Sequence, residues 1–165
     1  MAGPTSRPID ALDTSVLRLL ATEPRIGVQE ASRRLGVARG TVQSRLDRMT
    51  ADGVIRGFGP QVDPTALGWP VTAFLTLQIR QAAGHDRVSA HLARIAEVLE
   101  AHTITGSGDV WCRVVARSNA DLQRVIDAVV AYENVERVST VIALATQIHP
   151  RIVPLLGITA PAAGS

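Results

Sequence analysis

The chain has 165 residues, room for one ordinary domain or two small ones, and its 46% hydrophobic content excludes wholesale disorder. Aromatic residues make up only 3% (Phe58, Trp69, Phe74, Trp111, Tyr132), so any core is built from Val, Leu, Ile and Ala, which favours two small domains that gain burial by self-association. All 17 basic residues are Arg: residues 1–60 hold nine against six acids, a net of +3, and residues 61–165 hold eight against nine, a net of −1, so the basic half is the one suited to nucleic acid. A single cysteine, Cys112, leaves no internal disulfide. MAGPTSRP lacks the apolar core of a signal peptide and no run reaches about 18 apolar residues, so a cytoplasmic chain is expected.

Residues 1–8 and the stretch from 151 to 165, which ends in a Gly-, Pro-, Ala- and Ser-rich run, read as tails. The first helix follows Asp10 or Asp13 as cap, shows Leu12, Val16, Leu19 and Leu20 on one stripe, and stops at Pro24. A second, Val28 to Leu35, ends at Gly36. The third runs from about Arg39 to Ala51 with Val42, Leu46 and Met49 inward, and Gly53 closes it. VIRGFGPQV then fits two short strands around a Gly-Pro turn, and residues 58–70, dense in Gly and Pro, read as a linker. Beyond it the spacing predicts a strand over 71–80, a helix from Asp86 to Glu97, strands Val98 to Thr105 and Val110 to Ala116, a helix opened by a Ser118/Asp121 capping box, and a strand from Arg137 to Thr146. The expected fold class is α+β: a winged helix-turn-helix over 9–57, joined to a ferredoxin-like βαββαβ domain over 71–150.

Three short helices with a basic third one fit a helix-turn-helix whose outer face enters the major groove. That face offers Arg39, Thr41, Gln43, Ser44 and Arg48, with Arg45 on the same helix. Arg pairs with guanine and Gln with adenine, each worth about 1–3 kcal/mol of discrimination. Arg33, Arg34 and Arg56 flank the helix as candidate phosphate contacts, and Gly40 permits close approach. A solvated helix face is the plain alternative.

The block IDALDTSVLRLLATEPRIGVQEASRRLGVARGTVQSRLDRMTADGVIRGFGPQVDPTALG resembles the start of the Lrp/AsnC family of transcription regulators, matching at Asp13, Leu17, Leu20, Arg25, Leu35, Gly36, Val42, Arg45, Leu46, Gly53, Val54, Ile55, Gly57 and Gly68. EVLEAHTITGSGDVWCRVVA resembles the family's strand–turn–strand and NVERVSTVIAL its final strand, so the likeness spans Ile9 to about Pro150. It implies a transcription regulator that binds double-stranded DNA, forms homodimers that assemble into higher even-numbered rings such as octamers, and binds a small amino-acid-like effector between dimers. The matching turn is Thr105-Gly106-Ser107-Gly108-Asp109, with Thr140 lining the same pocket and Asp109 suited to an α-ammonium group. An ordinary hairpin turn is the bland reading of those residues. Ala38 stands where the family has Ser, Ala31-Ser32 where it has Leu-Ala, and Ser107-Gly108 where it has an acidic-aromatic pair. The room left by Gly108 implies a large apolar or aromatic effector.

Enzyme readings find little support. His85, His91, His102 and His149 lack metal-ligand spacing, Cys112 lacks a base partner, and the GSG turn is no phosphate loop. RNA binding on the sheet would need aromatic residues at stacking positions. Proteins similar to this family decarboxylate tetrapyrroles, and only His102 on a strand speaks for that here. No catalytic residue, metal or cofactor is expected.

Overall fold

The computed structural model describes residues 8–80 and 85–158. Most of the expected tails, 1–7 and 159–165, lie outside the described residues. The chain divides into two units, one formed by the segment up to Pro60 together with that from Ile148 onward, the other by Gln61–Gln147.

In the first unit, α1 (Ala11–Thr22) starts on a reciprocal cap: Asp10 accepts from the Asp13 N–H, and Asp13 accepts from the Asp10 N–H. Helix α2 (Val28–Leu35) ends at Gly36, whose φ of +65° is the left-handed conformation that glycine adopts without strain. Helix α3 (Arg39–Ala51) completes the trihelical block, with Val16, Ala31, Val42 and Met49 buried between the helices. The expected strands in VIRGFGPQV do not form: no strand lies between Gly53 and Pro70 among the described residues. Gly57, Gly59 and Pro60 give a ladder little to hold, since proline lacks an N–H and glycine brings no side chain to pack.

The stretch expected as a tail from 151 is corrected. Val153–Gly157 winds into a short 3-10 helix that packs on α1, and Arg18 Nη2 donates to the Leu156 carbonyl at 2.9 Å. Part of the expected linker also belongs to a folded unit. Thr65–Leu67 is a 3-10 turn, and Arg117 lies over the Trp69 ring, 5.0 Å from its centroid.

The second unit is β1 (Val71–Ile79), α4 (His85–Leu92), β2 (Val98–Thr103), β3 (Val110–Ala116), α5 (Asn119–Val130) and β4 (Val135–Ile142). Its antiparallel sheet has the order β2-β3-β1-β4, the ferredoxin-like arrangement. Ala73, Leu75, Leu77 and Ile79 of β1 and Val110, Cys112, Val114 and Ala116 of β3 form one buried cluster with Val88 and Leu92 of α4 and Leu122, Val125 and Val129 of α5. Helix α4 stops at Leu92, not Glu97, because the following turn tightens to three-residue bonds, Arg94 N–H to His91 and Ile95 N–H to Leu92. Strand β4 stops at Ile142, not Thr146, because its partner β1 runs out: the Ala143 N–H takes the Thr72 carbonyl, next to the end of β1. Ser118 caps α5 by accepting from the Asp121 N–H, but the Asp121 carboxylate accepts from Arg117, so the box is opened by one residue.

Candidate DNA-binding face and ligand turn

Helix α3 buries one side and presents the other. Beside the buried Val42 and Met49 stand Arg45 and Arg48, and both turn toward α1. Arg45 Nη1 donates to Asp13 Oδ1 at 2.7 Å and to both Asp10 oxygens, at 2.7 and 2.6 Å. Arg48 Nη2 donates to Asp13 Oδ2 at 2.6 Å, while its Nη1 is buried without a hydrogen-bond partner, 4.0 Å from Asp52. Asp13 is 0% exposed and the two arginine side chains 24% and 26%. Burial alone would raise the Asp13 carboxyl, but hydrogen bonds from Arg48, the Asp10 N–H and Arg45 hold it below its ordinary value. Arg45 likewise keeps Asp10 low. Arg45 and Arg48, expected among the DNA contacts, are engaged with α1 here: a buried carboxylate demands cationic partners, and these two supply them.

Arg39, Gly40, Gln43 and Ser44 remain exposed on the other side, with Thr41 half-buried. Gln43 Nε2 donates to Asp47 Oδ1 at 2.8 Å on the exposed side of the helix, and Arg39 has no ion-pair partner among the described residues. Ala38 offers the first turn of α3 no side-chain cap, and the Thr41 N–H donates to the Ala38 carbonyl at 3.0 Å. Arg33 and Arg34 are exposed on α2 but held by Glu30, Arg34 also by Glu23. Arg56 is exposed after α3.

In the other unit, the turn Thr105–Asp109 is fastened to the end of β1. The Asp109 N–H donates to the Leu77 carbonyl at 2.8 Å, and Gln78 Nε2 donates to the Ser107 carbonyl at 3.0 Å. Register shifts between Gln78 and Ile79, and the Ile79 N–H at that bulge donates to Asp109 Oδ2 at 2.8 Å. One Asp109 oxygen is thus committed to the backbone. A Cβ on Gly108 would meet Thr76 Cγ2 at 2.5 Å and the Leu77 carbonyl oxygen at 3.0 Å. The room expected at Gly108 is corrected accordingly, since the direction of its missing side chain is filled by β1. Thr140 is exposed on β4 opposite Leu75 and shares none of the turn's hydrogen bonds.

Two clusters escape the sequence reading. The Asp10/Asp13–Arg45/Arg48 pairing joins residues some 35 positions apart; its signal is two aspartates three apart on α1 facing two arginines three apart on α3. The second lies on the sheet face opposite the helices. Phe74 stacks on Trp111 with centroids 5.2 Å apart, His102 tilts against Trp111 at 5.7 Å, and Glu100 accepts from Arg113 and pairs with His102, which together hold its carboxyl low. Strand alternation, which puts Phe74 opposite in sense to Ala73 and Leu75, was the available signal. Burial pushes the Cys112 thiol up to about 11, away from thiolate chemistry. Among the described residues no group of three or more His, Cys, Asp or Glu could hold a metal, and no helix is long and apolar enough to cross a membrane.

A winged helix-turn-helix DNA-binding family matches residues 9–56, and the Lrp/AsnC ligand binding domain matches residues 72–152. The regulatory protein AsnC of Escherichia coli K12 is 31% identical over 147 residues, covering 88% of this chain and 97% of the relative. The HTH-type transcriptional regulator FL11 of Pyrococcus horikoshii is 26% identical over 148 residues, 90% and 97% of the two chains. The structure of E. coli AsnC superposes with a TM-score of 0.81 at 30% identity, covering 90% of this chain and all of the other. A feast or famine regulatory protein from Mycobacterium tuberculosis, solved in complex with L-methionine, gives 0.79 at 27% identity, covering 87% of this chain and 97% of that one. These relatives are regulators, not enzymes. The chain belongs to the Lrp/AsnC family of transcription regulators, with a winged helix-turn-helix DNA-binding domain followed by the family's ligand-binding domain.

Proposed function

We propose that this regulator reads base sequence through Arg39, Thr41, Gln43 and Ser44, grips phosphate through Arg33, Arg34 and Arg56, and answers to an amino-acid effector at the Thr105–Asp109 turn with Thr140. The observation that carries the DNA reading is the division of α3, which engages Arg45 and Arg48 with α1 and leaves Arg39 and Gln43 exposed. An amino acid as effector is supported by the L-methionine bound to the mycobacterial relative and by the remaining Asp109 oxygen, which suits an ammonium group. The bare sheet face with Phe74, Trp111 and Val141 supports self-association, as a homodimer and in higher even-numbered assemblies. The working compartment is the cytoplasm, where DNA and a reduced Cys112 coexist.

Selection of bound genomic fragments by the intact protein, with and without a mixture of the common amino acids, tests the reading. Arg39→Ala and Gln43→Ala are expected to relax base preference, each by about 1–3 kcal/mol at one position. Binding is expected to weaken steeply with salt. A protein that shifts no duplex, its own promoter region included, would sink the assignment of these residues.

A further inference from the structure

Residues 1–60 hold six acidic residues, and five of them lie beside an arginine. Asp10 and Asp13 pair with Arg45, Glu23 and Glu30 with Arg34, and Asp52 lies 4.0 Å from Arg48. Asp47 alone has no ion-pair partner among the described residues. Its neighbours one turn away on α3 are Gln43, Ser44, Thr50 and Ala51, so the helix offers it no cation. Gln43 Nε2 donates to Asp47 Oδ1 at 2.8 Å, and Oδ2 takes no hydrogen bond among the described residues. Asp47 is exposed, and with the exposed Arg39 and Gln43 it forms a stripe at i, i+4 and i+8. An unneutralised carboxylate thus stands on the side of α3 away from the buried Val42 and Met49.

We propose that Asp47 is a specificity-determining residue that selects a cytosine in the major groove and rejects guanine and thymine; this rests on the reading that the Arg39–Gln43 side of α3 enters the groove. A carboxylate accepts hydrogen bonds and donates none. On the major-groove edge cytosine presents an amino donor, N4, which the free Asp47 oxygen suits. Guanine presents only the N7 and O6 acceptors, and thymine an O4 acceptor beside a methyl group. Either base leaves the carboxylate desolvated with no donor to meet it. Adenine has the N6 donor but sets the N7 acceptor beside it. Phosphate oxygens repel the carboxylate as well, so Asp47 weakens every placement of α3 that gives it no cytosine. A penalty on wrong sequences raises specificity as surely as a contact with the right one. Asp47 lies eight residues beyond Arg39, about 12 Å along the helix, so the two side chains serve different base pairs.

The test uses the full chain and its Asp47→Ala, Asp47→Asn and Arg39→Ala variants, with circular dichroism to check that each is folded. Bound sequences are selected from a pool of random duplexes, and affinity for a duplex of mixed, unselected sequence is measured at low salt. The parent is expected to favour a C·G pair at a position that Arg39→Ala leaves unchanged. Both Asp47 variants are expected to lose that preference by about tenfold and to keep the others. They are also expected to bind the mixed duplex several-fold more tightly, since one repulsive charge is gone. Tighter binding with every base preference retained would make Asp47 a solvated surface charge and overturn the proposal. Loss of preference for a base other than cytosine overturns it equally. If Arg39→Ala alters a preference and neither Asp47 variant does, the α3 face stands and the role of Asp47 falls. If the parent enriches no sequence, or none of the three variants moves the profile, α3 is removed from base reading and Asp47 with it.

Discussion

Asp13 is a charge in a place where charges do not belong, and two arginines of another helix make that tolerable. Removing one member of a buried pair leaves the others unmatched, a loss of about 3–5 kcal/mol when all are fully buried. Here Arg45 and Arg48 keep about a quarter of their surface, so Asp13→Asn is expected to cost about 2–3 kcal/mol, read by urea unfolding at neutral pH. The sign of the pH effect follows from the lowered carboxyls of Asp10 and Asp13. Their contribution is complete above the ordinary value of 3.8 and is lost as pH falls through the lower folded values. The trihelical unit is therefore expected to weaken in acid, and Asp13→Asn to flatten that dependence. Arg48→Ala is likewise expected to loosen the helices; a variant with unaltered stability and weaker DNA binding would return Arg48 to the DNA face.

The turn at Thr105–Asp109 shows what an element demands of its residues. Asp109→Ala strips the acceptor from the Ile79 N–H opposite the β4 bulge, an expected loss of about 1–3 kcal/mol. Asp109→Asn keeps an acceptor oxygen there and removes only the charge. It is expected to leave stability near that of the parent and to weaken an amino-acid effector by one to two orders of magnitude, as loss of a charge-assisted contact of about 1.5–3 kcal/mol implies. Calorimetric titration beside thermal unfolding separates the two roles, and equal effector affinity in Asp109→Asn would leave the residue as a strand anchor alone. Gly108→Ala is expected to destabilise through its contact with Thr76 and the Leu77 carbonyl. Elements of this kind were partly legible. Asp10, Pro24 and Gly36 punctuate α1 and α2 locally, and β1 alternates along most of its length, so those bounds could be read directly. The roles of Asp109, Arg45 and Arg48 could not, because each is settled by a partner about 30 or more positions away, and a charged side chain flanking an apolar stripe reads as solvated until its partner is found. The packing of Val153–Gly157 on α1 escaped for the same reason, since the hydrogen bond from Arg18 to Leu156 spans 138 positions.

At the scale of the molecule, the ligand-binding unit has what an independent domain needs on one side of its sheet only. Both helices cover the face of Leu75, Leu77, Cys112 and Val114, which are fully buried. Among the described residues of this unit no helix covers the opposite face; Phe74 and Trp111 shield each other by stacking, and Val141 stays 63% exposed. With so few aromatic residues, a unit of this size gains more by covering that face with a second copy than by rearranging its own core. Residues 61–147 alone are therefore expected to fold and to sediment as a dimer or larger at micromolar concentration. Val141→Arg on that fragment is a sharper probe than truncating an aromatic ring, because in a two-fold interface one substitution buries two unpaired charges while the helix-side core is untouched. The expected outcome is a folded monomer with unchanged circular dichroism. A parent fragment that is already a compact monomer would contradict the two-domain economy inferred from composition, and a Val141→Arg fragment that stays dimeric would move the interface off this face.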